Sequence, residues 1–256
     1  MFIYENGIFK STLLSEKNIP HGFSTRVGGV SRKEHTKAMN VGFGRGDDDE
    51  TVFENIWILN SFAGIKNAKT AYSPQIHSRI IRKIENTSFS SPLEECDGFI
   101  TNVKGVSLLI RMADCVPILF YGGGVVCAVH AGWRGTVSGI CEEAVEQFAS
   151  YGVKPNEIVS AIGHCIHSCC FEVKEDFISA VSSMRGSDFA RRHIREREKR
   201  FFADLVSMNE EILKNAGVVF IDASERCTAC EPSLFHSHRK TGGKRGTMGA
   251  IISSGM

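Results

Sequence analysis

The chain of 256 residues lacks an excess of charge of either sign and lacks any long apolar run. Lys and Arg number 30 against 29 for Asp and Glu, which leaves a net charge of +1. A general nucleic-acid binder needs an excess of basic charge, so this balance argues against that class. No stretch approaches the roughly 20 apolar residues of a membrane-spanning helix. We therefore expect neither a nucleic-acid partner nor a membrane partner.

Sequence features that would divide the chain are also missing. There is no internal repeat, low-complexity linker or Pro/Ser-rich break, so residues 1–256 are predicted to form a single domain. No P-loop or Rossmann motif is present, which predicts no nucleotide cofactor.

A secretory signal is not visible either, because no basic region followed by an apolar region opens the sequence. The nine cysteines are an odd number and cannot all pair with one another. We therefore expect a cytoplasmic protein in a reducing compartment. Its thiols would then be buried apolar groups, metal ligands or nucleophiles.

Four segments carry apolar residues at helical spacing, and we predict helices over residues 48–62, 136–150, 174–184 and 202–215. Short apolar runs predict strands over residues 107–111, 116–121, 125–130, 158–162, 218–221 and 249–253. Three glycines at 122–124 separate two of these runs and suit a hairpin. Antiparallel pairing combined with helices favours an α+β fold.

Residues 191–200 carry six basic and two acidic side chains. We predict a solvated helical face or a mobile loop for this segment. A phosphate-binding or partner-binding patch is the alternative.

Metal ligands concentrate at the ends of the predicted segments. His77 follows Ser73–Pro74, Cys115 separates two predicted strands, and His130 ends another strand before a glycine-rich turn. Two His and one Cys can bind zinc and leave one coordination position open, as in catalytic sites. Spacing alone also allows each of them to be an ordinary buried residue.

Arginines beside glycine turns are candidates for binding an anion. Arg134 lies at the turn after His130, Arg26 precedes Gly28, and Arg239 belongs with residues 244–246 to a basic cluster near the end of the chain. Three converging Arg would suit a phosphate. The alternative for each is a surface charge.

Cys227 and Cys230 form a CxxC pair. The thioredoxin-like strand and helix that a redox pair uses are absent around it. A second zinc site would need two more ligands, for which Cys165, Cys169 and Cys170 are candidates. Otherwise these residues are plain buried thiols.

Taken together, several motifs resemble the YfiH family, which is also labelled a laccase-domain or polyphenol oxidoreductase family and a purine nucleoside phosphorylase family. The motifs that carry the resemblance span nearly the whole chain and occur in the same order as in the family. The motifs are HGFSTRVGGVS (21–31), SPQIHS (73–78), MADCVPILF (112–120), VHAGWRGT (129–136), CCFEV (169–173) and FHSHRKTGGKRGTMGAII (235–252).

The resemblance implies that zinc is bound by His77, Cys115 and His130. It implies phosphorolysis of adenosine, inosine, guanosine and methylthioadenosine, together with deamination of adenosine. It also implies a fold of two mixed β-sheets packed together with helices on the outside, similar to that of cytotoxic necrotizing factor toxins. The expected partners are purine nucleosides and phosphate.

The sequence departs from the family at residues 163–168, where a Gly-Pro-rich loop is replaced by GHCIHS. This departure puts the substrate preference in doubt. His164 and His167 could add metal ligands there. The usual Tyr of the next motif is Phe171 here, which lacks the hydroxyl.

If the chain has the activity that the resemblance implies, the catalytic candidates are Cys115, His130 and Asp114. The substrate-binding candidates are then Arg26, Asn40, Arg134 and Arg239. Asp114 could orient a metal ligand, carry a proton or cap a turn. Asp97 and Glu172 are further acidic candidates.

Other chemistries use the same residues. Cys115 could be the nucleophile and His130 its base in an amide hydrolase. A copper-dependent polyphenol oxidase is another reading, with copper in place of zinc, although its usual clusters of several His are not evident. A non-enzymatic scaffold is a further alternative.

Overall fold

Two six-stranded sheets form the centre of the computed structural model, which describes residues 1–255. In chain order the strands are β1 Phe2–Glu5, β2 Ile8–Ser11, β3 His21–Ser24, β4 Lys69–Ala71, β5 Ile81–Lys83, β6 Gly98–Thr101, β7 Val106–Met112, β8 Val116–Gly122, β9 Val125–Ala131, β10 Val159–Ile162, β11 Glu172–Val173, β12 Ile194–Arg197, β13 Arg200–Ala203, β14 Phe220–Ala223 and β15 Met248–Ser253.

Helices connect these strands. They are α1 Thr12–Glu16, α2 Asp49–Phe62, α3 Trp133–Ser138, α4 Ile140–Ala149, α5 Glu175–Arg185, α6 Ser187–His193, α7 Leu205–Asn215 and α8 His238–Thr241, with a 3₁₀ turn at Pro155–Glu157. Among the described residues, no helix is both long enough and apolar enough to span a bilayer.

Both large sheets are mixed. The first has the order β1-β2-β3-β15-β7-β4, and the second has the order β14-β10-β8-β9-β6-β5. Most neighbours are antiparallel, but β4 with β7, β10 with β14, and β5 with β6 are parallel pairs. A small third sheet has the order β11-β13-β12.

The period-two alternation of strands explains why the sheets stack. Leu108 and Ile110 of β7 face the core between the sheets, and Val126 and Ala128 of β9 face it from the other side. Leu109 points the opposite way and packs against α2. Such alternation buries both faces of the central strands β7 and β9.

Helices cover the outer faces of the sheets. The apolar stripe of α2 packs on the first sheet through residues such as Val52, Ile56 and Leu59. Helices α4 and α7 pack on the outer face of the second sheet. This architecture confirms the predicted α+β fold, with two mixed sheets packed together and helices outside.

The predicted hairpin is confirmed between β8 and β9. Gly122 pairs with Val125, so the turn consists of Gly123 and Gly124. Both have positive φ, 56° and 81°. Two successive positive φ angles define the type I′ turn, which glycine adopts without steric cost.

Two predicted helices have different limits in the structure. The helix predicted over 136–150 is interrupted at Gly139, whose left-handed φ of 97° separates α3 from α4. The helix predicted from residue 202 begins at Leu205 instead, because Phe202 pairs with strands β11 and β12. The strand predicted at 218–221 lies at Phe220–Ala223.

The prediction for the basic segment 191–200 holds only at its start, where exposed Arg191 and Arg192 lie on a helix, and it was wrong for the rest. Its first residues end α6, and the remainder forms the β12–β13 hairpin. Glu198 and Lys199 turn this hairpin with φ angles of 50° and 61°. Pairing with a neighbouring strand overrides the helical preference of a charged run.

Candidate metal centre and its cavity

Three candidate metal ligands, His77, Cys115 and His130, come together at one end of the second sheet and form what we call the metal group. Their ligand atoms all lie within 4.8 Å of one another, and Cys115 Sγ is 3.9 Å from His77 Nε2. The register of the hairpin explains the pairing of two of them. Pro117 is opposite His130 and Val116 is opposite Ala131, so the residue before β8 lies beside the end of β9.

Asp97 holds two of these residues in place. Its fully buried carboxylate accepts a hydrogen bond from His130 Nδ1 at 2.8 Å and one from the backbone N–H of His77 at 3.0 Å. Ser78 donates to it from both its backbone N–H and its hydroxyl. Burial alone raises the pKa of this carboxyl, but the donors from His130 and Ser78 lower it overall.

The contact with Asp97 orients the ring of His130. Because Nδ1 is engaged by the carboxylate, Nε2 is the nitrogen left for Cys115 and the cavity. His77 has a left-handed backbone φ of 62°, which residues other than glycine rarely adopt. The bond from its N–H to Asp97 holds it in that conformation.

The residues present fit a metal ion. A Cβ added to Gly132 would lie 2.8 Å from His77 Cδ2, 3.4 Å from His130 Cε1 and 3.5 Å from Cys115 Sγ. A side chain there would clash with His77 and fill the space next to His130 and Cys115. Two His and one Cys suit zinc with an open position, and nitrogen and sulfur donors also suit copper.

Charge interactions favour ionised forms in this group. Burial raises the pKa of the Cys115 thiol, but His130 and His77 more than offset this and lower it to about 6. Burial lowers the pKa of His130, whereas Cys115 and Asp97 raise it to about 9. The thiolate form of Cys115 is the one that binds metals and attacks electrophiles.

Asp114 lies next to Cys115 but faces another way. Its carboxylate accepts hydrogen bonds from Thr228 Oγ1 and from the backbone N–H of Arg239, each at 2.6 Å. Its φ is +94°. Asp97, rather than Asp114, is the acid that hydrogen-bonds a residue of the metal group.

A cavity of about 300 Å³ opens beside the metal group and is lined by three arginines, Arg45, Arg111 and Arg245. Arg111 Nη2 donates to the Ser73 carbonyl at 2.7 Å. Arg245 Nη1 donates to Thr247 Oγ1 at 2.7 Å, but its buried Nε has no partner among the described residues. Within residues 1–255, no carboxylate forms an ion pair with any of the three.

The arginines are therefore cations held close together. Burial lowers the pKa of Arg245 to about 10, and the nearby charge of Arg45 contributes. Burial also lowers the pKa of Arg111. An anion in the cavity would relieve this repulsion and supply partners for the free donors.

Sequence reasoning missed Arg45 and Arg111, and named Arg245 only as part of a basic cluster. Arg111 is the penultimate residue of strand β7, four residues before Cys115, and a charged residue near the end of an apolar strand was the available signal. No sequence signal distinguishes Arg45 from other exposed arginines.

The predicted substrate-binding residues lie elsewhere. Arg26 Nη1 donates to the Pro232 carbonyl, and exposed Arg134 stacks on Trp133. Arg239 lines a separate cavity with Trp133 and Phe171. Buried Asn40 accepts from the N–H groups of Gly42 and Thr247, two residues that line the arginine cavity.

The two histidines of the atypical 163–168 loop do not belong to the metal group. His164 is fully buried, and its ring packs 4.4 Å from that of Phe235. The His167 backbone N–H donates to Cys227 Sγ. The Glu172 side chain pairs with Arg200 on the third sheet.

Comparison with known proteins agrees with this fold. The family described as "Multi-copper polyphenol oxidoreductase laccase" matches residues 20–254, and the chain therefore belongs to that family. "Purine nucleoside phosphorylase YlmD" of Bacillus subtilis is 32% identical over 251 residues, covering 93% of this chain and 89% of that protein. "Purine nucleoside phosphorylase YfiH" of Escherichia coli is 33% identical over 223 residues, covering 85% of this chain and 86% of that protein.

A solved structure gives the same result. The YfiH protein of Bacillus licheniformis superposes with a TM-score of 0.87 at 26% identity and covers 98% of both chains. The resemblance to the YfiH family inferred from the motifs is thus confirmed.

Proposed function

We propose that this protein is a zinc-dependent purine nucleoside phosphorylase. One observation carries the proposal: the His77, Cys115 and His130 group and the three arginines line the same cavity. The relatives named purine nucleoside phosphorylase support it. The substrates we propose are adenosine, inosine, guanosine and methylthioadenosine, with phosphate as co-substrate.

The arginines bind the phosphate in this proposal. Arg111 and Arg245 are anchored through carbonyl and hydroxyl contacts, so their remaining N–H groups are directed with little loss of side-chain freedom. Arg guanidinium groups match phosphate oxygens with paired donors. Phe43 also lines the cavity and offers an aromatic surface for the purine, beside Tyr72 with which it stacks at 5.3 Å.

The metal residues act at the other side of the cavity. His77, Cys115 and His130 would hold the zinc ion, and Asp97 fixes the orientation of the His130 ring. A zinc ion held there would supply a Lewis acid for the reaction. Asp114 positions the Arg239 and Thr228 segments in this proposal, while Arg26, Asn40 and Arg134 support the surrounding loops.

Phosphorolysis requires a phosphate oxygen to form a bond to C1′ as the bond from C1′ to the base breaks. The cations stabilise the phosphate where it approaches the sugar, and this needs a cavity from which bulk water is excluded. We also propose that the cavity deaminates adenosine: a water molecule forms a bond to C6 of the adenine, and the C6 amino group leaves as ammonia to give inosine.

The test is to incubate the zinc-loaded protein with inosine or adenosine, with and without phosphate, and to separate the products by chromatography. Free base and ribose 1-phosphate that form only with phosphate support the phosphorylase. Inosine formed from adenosine without phosphate supports the deaminase. Absence of both from folded, zinc-loaded protein rejects the proposal, and Cys115→Ser serves as the matched inactive control.

A cysteine–histidine amide hydrolase is the second candidate. In this function Cys115 would be the nucleophile and His130 its base, and Asp97 would orient the His130 ring. Amide cleavage that persists after zinc is removed by a chelator would favour this function. Loss of all activity with the metal would reject it.

The family is described as one of multi-copper oxidoreductases, so copper is an alternative to zinc at this site. Metal analysis of the purified protein by mass spectrometry distinguishes copper from zinc. Copper with oxygen-dependent oxidation of a phenol would support the polyphenol oxidase, whereas zinc alone would reject it.

A further inference from the structure

Four cysteines from two distant segments meet on the surface, apart from the candidate metal centre. Cys169 and Cys170 precede β11, and Cys227 and Cys230 lie in the loop after β14. All four Sγ atoms lie within 4.8 Å of one another. The sequence analysis named Cys165 as a further candidate ligand, but within residues 1–255 its thiol does not belong to this four-cysteine cluster.

The spacing of these sulfurs matches a tetrahedral metal site. Cys230 Sγ lies 3.5 Å from Cys169 Sγ and 3.4 Å from Cys170 Sγ. Four sulfurs at the Zn–S distance of about 2.3 Å would be separated by about 3.8 Å in a tetrahedron. All four residues are free thiols in the structure.

Backbone donors and one cation lie beside the cluster. The backbone N–H of His167 donates to Cys227 Sγ at 3.5 Å, and the N–H of Cys230 closes the CxxC turn onto the Cys227 carbonyl at 3.2 Å. Arg197 donates to the carbonyl of Ser168, directly before Cys169. A guanidinium there offsets part of the negative charge of four thiolates around a divalent cation.

We infer that Cys169, Cys170, Cys227 and Cys230 bind a structural zinc ion. Four soft thiolate ligands select zinc over hard cations, and four protein ligands leave no position for substrate. The site is therefore closed, unlike the group of His77, Cys115 and His130.

The ion would join two segments that the backbone connects only weakly. Cys165 and Cys227 form an isolated bridge, and Thr228 N–H donates to the Cys165 carbonyl. Thr228 in turn holds Asp114, the neighbour of Cys115, at 2.6 Å. A zinc ion at the four cysteines would hold this chain of contacts together, so the cluster positions the loop that carries Cys115.

The test measures zinc in the 256-residue chain, purified with reductant, by inductively coupled plasma mass spectrometry. We expect two zinc ions per chain in the wild type and one in Cys115→Ser. We expect one in Cys227→Ser and none in the combined variant. The Cys115→Ser background isolates the new site, so its result does not depend on the proposed enzymatic function.

Matched variants separate ligand loss from misfolding. Cys165→Ala removes a buried thiol in the same loop and should keep both ions. Cys230→His keeps a ligand at an exposed position and should retain more of the second ion than Cys230→Ser does. Circular dichroism checks the fold of each variant, and cobalt in place of zinc should give the intense absorption of a tetrathiolate site.

Four results would overturn the inference. They are a single zinc ion in the wild type that Cys115→Ser removes, two ions retained in folded Cys227→Ser, iron with sulfide in place of zinc, and a disulfide among the four cysteines revealed by a thiol count.

Discussion

Nδ1 of His130 lies 2.8 Å from a carboxylate oxygen of Asp97, and that same oxygen accepts the backbone N–H of His77. One buried carboxylate thereby fixes a side chain on strand β9 and the backbone of a loop far away in sequence. Partners of this kind set the tautomer and direction of a metal-binding ring, and their loss costs 10- to 100-fold in metal affinity, as an order of magnitude.

Asp97→Asn should therefore weaken zinc binding by roughly 10- to 100-fold. An amide offers one acceptor oxygen, whereas the carboxylate serves donors with both of its oxygens. Competition with a chromophoric chelator measures the affinity, and Asp188→Asn on the surface is the control. Unchanged affinity in a folded Asp97→Asn variant would remove Asp97 from this role.

Gly132→Ala should abolish zinc binding at the candidate centre while the fold survives. The backbone at Gly132, with φ −60° and ψ 162°, is open to alanine. The added Cβ, however, would lie 2.8 Å from His77 Cδ2. Zinc content and thermal melting of the variant are the measurements. A variant that keeps this zinc and its activity would show that the site accommodates the added methyl group and does not require glycine at this position.

Arg245→Ala should raise the KM for phosphate by roughly 10- to 100-fold, since hydrogen bonds to charged groups contribute about 1.5–3 kcal/mol each. The KM for nucleoside should change much less. Steady-state phosphorolysis with each substrate varied in turn measures both constants. Arg134→Ala is the comparison, because Arg134 is exposed and stacks on Trp133 outside the cavity. The opposite ranking of the two variants would return phosphate binding to Arg134.

Acid should destabilise the fold partly through His164. Burial and, to a lesser extent, His167 lower the pKa of His164 from 6.5 to about 3, although its bond to the Ser24 carbonyl opposes this. Between these pH values the unfolded chain binds a proton that the folded chain does not. The free energy of unfolding therefore falls as the pH drops below 6.5, by up to about 1.4 kcal/mol per pH unit for this group.

The variant His164→Gln keeps a donor for Ser24 but does not titrate. Urea unfolding from pH 8 to pH 4 should give a shallower dependence on pH than in the wild type. The difference above pH 7, where the histidine is neutral in both states, reports lost packing against Phe235 and serves as the internal control. Equal slopes would mean that His164 does not contribute to acid sensitivity.

The sequence determined much of the metal group. His77, Cys115 and His130 were identifiable as donors at segment ends, and helix α2 was predictable from the spacing of Val52, Ile56 and Leu59. These signals are local, because helical periodicity, turn glycines and ligand chemistry are carried by the residues themselves. The short strands β1 to β6 were not predicted, because segments of three or four residues carry too little apolar alternation to be recognised.

Only the tertiary structure decided which polar residues share the cavity. Arg45, Arg111 and Arg245 come from three separate segments, and only Arg111, near the end of an apolar strand, carries a local signal that Arg26 and Arg134 lack. Only the tertiary structure likewise shows that Asp97 contacts His130. It also shows that Cys169 and Cys170, rather than Cys165, lie beside Cys227 and Cys230. Sheet register and loop packing bring such residues together, and these depend on contacts between distant segments rather than on the preference of any one of them.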